Sequence, residues 1–431
     1  MNAHFGFGVA ALLANWLISQ APTPTDPPAR LPMTVTGQTQ PTPGITPVVA
    51  PSLTPATTPA PATNSAPTPA KSRAPIEQFD PQVHPTETMQ CVYGIRMGSD
   101  WLGKVHLANG RVMPGINPTL AAIWANDSES KQAMALMGLC QAARMTGDAG
   151  LTAKASQSML QVISGLKPDP MDANRVLPGC PASEQTTVAS CLILATAELP
   201  GADARMLAIC EHMALLLRSS RETDPLARAL ALRALVTSDR MKPADWKREA
   251  ALAALSSART DVKSKFNAIL ASGAIIAAVD LYLATKDASY VSMTSELADQ
   301  LCARQYDRSK VQGGFTWAGA VKVAESDESE PSFDQAMIAT ALVAATQMSR
   351  QTADLTRYGK YRSAAVQSLM FMRGIQMTPD TSSHFEPGFR IRSVVGGVRS
   401  SVTDPILRSD ATAMAIGAFV RFVESGCEKR E

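Results

Sequence analysis

The chain has 431 residues, of which 45% are hydrophobic, 18% charged and 5% aromatic. That balance suits one large globular domain or two modest ones, and it favours helix over sheet. Basic and acidic residues nearly cancel, 40 against 38, so the chain lacks the electrostatic footprint of a nucleic-acid binder.

Residues 1–21 carry an apolar run from Phe5 to Ile18, interrupted by Asn15, and end in Ser19-Gln20-Ala21. The run is shorter than the roughly 20 residues a spanning helix needs and matches the apolar region of a signal peptide. It is expected to be a signal peptide or a membrane anchor, although no Lys or Arg precedes it. The protein is therefore expected to be secreted, periplasmic or on the cell surface, touching a membrane only through an uncleaved anchor. No other apolar run of spanning length follows.

Residues 22–85 hold more than half of the chain's 30 prolines, with threonine and alanine between them. Such a stretch cannot bury a core and is stiffened by proline. It is expected to be a disordered linker that spaces the rest of the chain from its attachment. The globular domain is expected over 86–431.

That domain reads as a series of helical hairpins. An apolar stretch runs from Cys91 to Leu107, and a turn-rich loop from Asn109 to Gly115 follows it. Ala133, Leu136, Met137 and Cys140 share one helical face, Thr146 to Gly150 turns the chain, and Leu151, Ala155, Met159 and Val162 form the return stripe. A second pair spans 184–198 and 202–219. A third spans 225–237 and 244–258, where Pro225 and Pro243 mark helix starts. In the fourth, Ile276, Val279 and Leu283 lead through Thr285-Lys286-Asp287 to Tyr290, Met293, Leu297 and Leu301. The fifth spans 333–349 and 355–373. A last helix, 408–424, needs a partner, and the 91–107 stretch can supply it. Two-helix units must stack to bury their faces. Six of them predict a closed α/α toroid, with an open α-solenoid as the alternative.

Seven cysteines are present, without Cys-x-x-Cys or Cys/His spacing. No metal site and no cofactor is expected.

Three connections between hairpins are long: 165–183, 306–332 and 374–407. If helices alternate in direction, these loops emerge on one face, and that face is the expected site. The first loop carries Asp169, Asp172, Asn174 and Arg175. The second carries Trp317, Glu325, Asp327, Glu328 and Glu330 and ends at Asp334. The third carries His384, Glu386, Arg390, Arg392, Arg399, Asp404, Arg408 and Asp410.

Gln305, followed by Gly313-Gly314-Phe315-Thr316-Trp317, resembles the glutamine-tryptophan repeat of terpenoid cyclases and prenyltransferase β-subunits, and Asn109-Gly110-Arg111 after Trp101-Leu102 has a similar cast. Gly396-Gly397-Val398-Arg399-Ser400-Ser401, with Asp404 and Arg408-Ser409-Asp410, resembles the last repeat of bacterial α/α-toroid proteins, six-hairpin sugar-processing ones among them. The resemblance implies a toroid over about 90–425. It departs from the protonating cyclases in lacking a DxDD motif and from the prenyltransferases in its scarcity of histidine.

Three functions compete. In the first, the protein is exported or surface-tethered and binds or processes a polysaccharide or another cell-envelope component. Glu386, Asp410 and Asp334 are then the candidate catalytic acids, since an inverting glycosidase needs two carboxyls about 6.5–9.5 Å apart. Trp317 and Trp101 are candidate stacking platforms, and Arg390 and Arg392 candidate contacts to an acidic sugar. A lyase would draw instead on His384 or Tyr306 as base. The second function is a non-catalytic interaction or scaffold module. The third is an isoprenoid-type cyclase, against which the missing DxDD motif stands.

Overall fold

The structure is a computed structural model and describes residues 75–312, 314–325 and 329–427. The expected signal segment, the expected linker as far as residue 74, and Asp327 and Glu328 lie outside the described residues. Twelve helices longer than three turns run through them: α1 Thr86–Lys104, α2 Glu129–Thr146, α3 Ala149–Ser164, α4 Ala182–Glu198, α5 Ala204–Ser219, α6 Pro225–Met241, α7 Asp245–Ser264, α8 Ala268–Thr285, α9 Ser289–Ala303, α10 Gln335–Gln351, α11 Leu355–Ile375 and α12 Ser409–Glu424. Their starts are chemically marked. Asp148, Asp203, Asp224, Asn267 and Asp354 each accept a hydrogen bond from a first-turn amide, and Pro225 opens α6.

The even-numbered helices form an inner ring in the order α2, α4, α6, α8, α10, α12 and back to α2. The odd-numbered helices surround it, each packed on the inner helix of its own hairpin, and α1 packs on α12 as the missing half of the sixth hairpin. Burial follows this division. Every residue of α8 from Ala268 to Val279 is buried, whereas α3 buries only Ala155, Ser158, Met159 and Val162. α8 is apolar enough over 18 residues to pass for a membrane span; its burial among its neighbours marks it as a core helix. Small residues let inner helices approach closely: Gly138 faces Ala413 across the α2–α12 seam, and Gly273 faces Ala229 across the α8–α6 seam. The ring is closed, and the open solenoid is not formed.

Three of the turns within hairpins share one chemistry. Thr146-Gly147-Asp148, Thr285-Lys286-Asp287 and Thr352-Ala353-Asp354 each place the middle residue at positive φ, 63°, 60° and 55°. In each the threonine hydroxyl donates to a carbonyl of the helix it ends, and the aspartate side chain accepts from an amide that follows. The middle residue terminates one helix in the left-handed region while the aspartate starts the next.

Connections between hairpins all emerge where the inner helices begin, because each inner helix is entered from an outer one. Three of them repeat a second device. Gly110, Gly319 and Gly396 sit at positive φ against the backbone of the next outer helix, at Gln157, Gln367 and Met97. Two residues later Val112, Val321 and Val398 are held by the first turn of the next inner helix. The Gln132 side-chain amide pairs with both backbone groups of Val112, the Gln335 amide does the same for Val321, and Thr412 Oγ1 accepts from the Val398 N–H. These three loops raise the wall over α10, α12 and α2. The entries to α6 and α8 are short, 220–224 and 265–267, and leave that side low.

Short strands brace the wall. β1 (Gly115–Asn117), β2 (Ala122–Ile123), β7 (Val398–Arg399) and β8 (Leu407–Arg408) form an antiparallel sheet in the order β2-β1-β8-β7. It joins the loop before α2 to the loop before α12. A hairpin of β3 (Leu166–Asp169) and β4 (Asp172–Pro178) precedes α4, and β5 (Val311–Gln312) pairs with β6 (Phe315–Thr316). The described fold includes residues before the expected boundary at 86: Pro75–Gln78 forms a 3-10 turn whose Ile76 is buried in the core.

Candidate functional site

Geometry gathers chemistry at the mouth of the ring, where the inner helices begin. Asp410 is the second residue of α12 and is wholly buried. Arg408 Nε donates to its Oδ1 at 3.0 Å and Nη2 to its Oδ2, while the Ala411 amide also donates to Oδ1. The Arg408 guanidinium lies over two rings, Trp124 at 5.2 Å and Phe333 at 4.4 Å. Lys131, in the first turn of α2, reaches the same Trp124 ring at 4.6 Å, and its Nζ donates to the carbonyl and side-chain oxygens of Asn126 at 2.7 and 2.9 Å. Trp124 is half-buried and leans against Gly115, where a Cβ would stand 3.1 Å from the indole and 2.5 Å from the Leu407 carbonyl. Glycine at 115 therefore sets the position of this indole.

Asp334 precedes α10 on the same mouth and is half-buried. The Ser332 hydroxyl donates to its Oδ2 at 3.1 Å. Burial raises its pKa above the ordinary 3.8; the Ser332 hydrogen bond and the Arg408 charge oppose that shift, and Asp410 and Asp224 reinforce it. Asp224, exposed, caps α6 across the mouth through the Ala227 amide at 2.8 Å. Glu184, in the first turn of α4, accepts from the Ser130 amide at 2.9 Å and adds its charge beside Lys131. The arrangement offers a carboxyl whose pKa burial raises, an exposed carboxylate within electrostatic reach of it, and a wall of one indole and two cations. Those are the elements of proton transfer to a ligand oxygen and of stacking on a sugar ring.

Of the residues expected from the sequence, Asp334 and Asp410 come together here. Glu386 does not join them. It is exposed, and both of its oxygens accept from the amides of Gly388 and Phe389 at 2.8 and 2.7 Å, which holds its pKa low and makes it a helix cap. The segment that follows packs over outer helix α1, where Lys104 Nζ donates to the Ile391 carbonyl. Arg390 is half-buried on this rim, and the exposed Arg392 donates to the Gly388 carbonyl at 2.9 Å. Trp101 and Trp317 present no face for stacking. Trp101 is fully buried with its indole N–H on the Ser393 carbonyl at 3.0 Å, and Trp317 is 2% exposed, edge-on to Tyr306 at 5.2 Å. Gln305, from the same motif, ties outer helices together by donating to the Gly319 and Ala364 carbonyls. His384 is exposed beside Phe385. Glu330 accepts from the hydroxyls of Ser401 and Thr403 and holds that loop, and Glu325 pairs with Arg304.

Trp124, Lys131, Glu184 and Asp224 escaped the sequence reading. The signal for three of them was positional: they stand at the starts of helices that prove to be inner ones. Among the described residues no group of three or more His, Cys, Asp or Glu side chains could hold a metal ion, and none of the seven cysteines is in a disulfide. Two clefts lie off the axis. One, of about 600 Å³, separates α5 from α7 and has Arg228 and Asp261 already paired on its wall. The other, of about 710 Å³, lies between the β5–β6 hairpin and α11. The mouth, not these clefts, combines acids, cations and an indole.

No protein-family model matches the chain, and no curated protein matches it in sequence. Solved structures do match. A D-mannose isomerase aligns with a TM-score of 0.55 at 11% identity over 79% of this chain and 99% of that one. An unsaturated glucuronyl hydrolase specific for heparin aligns at 0.56 and 12%, over 78% and 97%. The alpha-1,6-mannanase from Salegentibacter sp. HEL1_6 aligns at 0.55 and 10%, over 79% and 99%. The fold is a six-hairpin α/α toroid, shared with these structures. At such identities the likeness is one of architecture, and the toroid's chemistry must be argued from its own side chains.

Proposed function

We propose that the protein is a carbohydrate-active toroid that takes a polysaccharide across the low side of its mouth and hydrolyses it there. Asp334 is the general acid, holding a proton for the glycosidic oxygen, and Asp224 is the partner base that activates water. Trp124 stacks on a sugar ring, while Lys131 and Arg408 orient hydroxyls. The observation that carries this reading is the place of Asp334, half-buried at the mouth with its pKa raised by burial, and of the exposed Asp224 across that mouth. The names of the three aligned proteins, an isomerase of mannose, a glucuronyl hydrolase and a mannanase, support a carbohydrate ligand. The amino-terminal apolar run and the Pro/Thr-rich stretch support work outside the cytoplasm, on envelope or environmental glycan.

A second reading, binding without turnover, is favoured by the engagement of Asp410: both oxygens are committed to Arg408, so this acid takes no part in chemistry. The test is a panel of neutral and acidic polysaccharides incubated with the full chain, followed by calorimetry and by release of reducing ends. Turnover abolished by Asp334→Asn and by Asp224→Asn supports hydrolysis. Binding without reducing ends, weakened about tenfold by Trp124→Ala, supports the second reading. Absence of any glycan binding overturns both.

A further inference from the structure

The axis of the ring is polar below the mouth. At the far end, in the last turns of the inner helices, Arg144 of α2 pairs with Glu198 of α4 and Glu424 of α12. Arg421 of α12 donates to Asp280 of α8 at 2.8 Å and to Gln347 of α10 at 3.1 Å. These pairs tie five inner helices to one another, two arginines facing three carboxylates. The sixth, α6, contributes Arg233 from its middle, and Arg233 is different.

No carboxylate stands within ion-pair distance of the Arg233 guanidinium among the described residues. Its one polar contact is Nη1 to the Met337 sulfur at 4.0 Å. Met337 lies three residues after Asp334, on the same side of the helix. The guanidinium thus reaches from α6 to α10, below the helix start that carries Asp334. It is half-buried by exposure yet lies deep among protein atoms, and burial works against its charge. Asp280, the acid whose charge favours it most, is already bonded to Arg421, which repels it. A guanidinium cannot shed its proton at physiological pH, and this one, half-buried and without a carboxylate of its own, can take an anion. Its planar fork suits an oxyanion.

We infer that Arg233 is the floor of the binding site and receives an oxyanion, a carboxylate or a sulfate carried on a sugar, so that the protein selects acidic over neutral glycans. This rests on the carbohydrate reading for the rest of the ligand but not for the anion. The wall above adds Lys131, whose ammonium is likewise held by neutral oxygens of Asn126 rather than by a carboxylate. The two cations would engage a ligand at two depths, one at the rim and one at the floor. That geometry favours a saccharide whose anionic group is on its leading residue.

The experiment titrates the full chain calorimetrically with a uronate oligosaccharide, a sulfated one and a neutral one of equal length, and separately with free glucuronate and inorganic sulfate. The wild type is expected to bind one acidic oligomer at least about tenfold more tightly than the neutral one. Comparison of the uronate and sulfated oligomers identifies the group. Arg233→Met is expected to lower affinity for the acidic oligomer at least about tenfold and so erase the preference, and Arg233→Lys to retain part of it, with the thermal melting of each variant confirming that it is folded. Equal affinity for acidic and neutral oligomers, or a preference that survives Arg233→Met, overturns this inference and leaves the carbohydrate reading standing. Stabilisation by glucuronate or sulfate that is lost in Arg233→Met, without binding of any oligosaccharide, keeps the anion site and overturns the carbohydrate reading. If Arg233→Met fails to fold, competition decides: free glucuronate or sulfate must displace the acidic oligomer from the wild type, and failure to do so overturns the site.

Discussion

Arg408 and Asp410, two residues apart, hold each other through two parallel hydrogen bonds at the point where β8 becomes α12. The strand end aims the arginine back over the helix start, and the aspartate, fully buried, has few other donors. The pair fixes the guanidinium between Trp124 and Phe333 and so shapes the mouth. Removing one partner leaves a buried charge unanswered. Arg408→Met is expected to cost about 3–5 kcal/mol, whereas the double variant with Asp410→Asn should recover most of that loss. Chemical denaturation of the single and double variants measures both. A loss in the double variant as large as in the single one would show that packing of the arginine on its two rings, rather than charge, is what matters.

Asp334 makes a pH prediction with a definite sign. Burial raises its pKa in the folded protein above 3.8, so between 3.8 and the folded value the native state holds a proton the unfolded chain has released. The stabilising effect is present in full below 3.8 and is lost as pH rises through the folded value. Relative to Asp334→Asn, which cannot ionise, the wild type should lose stability across that window and then level off. Melting temperatures of the two proteins from pH 3.5 to 7 give the difference directly. A constant difference would mean that the carboxyl ionises at its ordinary pH. Hydrolytic activity, if carried by this acid, should fall along the same limb.

The helices were legible because apolar residues recur at helical spacing and Pro, Gly and Asp mark the ends. Even the pairing of the last helix with the 91–107 stretch, most of which lies in α1, follows from the need of each hairpin for two halves. The turn Thr352-Ala353-Asp354 was overlooked beside its two relatives because alanine is an unexpected residue at positive φ. The docking loops were less legible still. Val112, Val321 and Val398 are held through backbone groups, which leave little trace in composition. At the site, Asp334 and Asp410 stood out as acids at helix starts. Glu386 stood out as an acid on a long loop but is followed by Pro387-Gly388, the signature of the short helix it caps. Arg233, amid Ala-Leu-Ala-Leu-Arg-Ala-Leu, reads as an ordinary polar face until α6 is known to be an inner helix.

Gly319 and Gly314 separate two costs that glycine substitutions usually mix. Both have positive φ, 89° and 81°. A Cβ on Gly319 would overlap the Gln367 carbonyl of α11, whereas one on Gly314 would meet nothing within 4 Å. Gly314→Ala should therefore cost only the left-handed backbone, about 1 kcal/mol. Gly319→Ala must also push the loop off α11, disturbing the bonds that Gln305 and Ser368 make to the Gly319 carbonyl. About 2–4 kcal/mol is expected, read as the shift in urea midpoint. Equal costs at the two positions would mean that the loop moves away from α11 freely.

Lys247 supplies a test far from the mouth. Its side chain is wholly buried in α7, and the ammonium donates to Glu211 at 2.6 Å, to the Lys242 carbonyl at 2.9 Å and to the Ser238 carbonyl at 3.3 Å. The three acceptors match the three protons of the ammonium, so the charge is fully satisfied. Glu211 retains contact with solvent and can be rehydrated if released, but the lysine cannot. The two halves of the pair are therefore unequal. Glu211→Gln strands a buried cation and should cost about 3–5 kcal/mol, while Lys247→Met keeps the aliphatic packing, leaves a partly hydrated carboxylate and should cost less. Denaturant unfolding of the two variants, with unchanged slope, measures the asymmetry. A greater loss for Lys247→Met would mean that the hydrogen bonds to the two carbonyls, which join the end of α6 to α7, outweigh the ion pair.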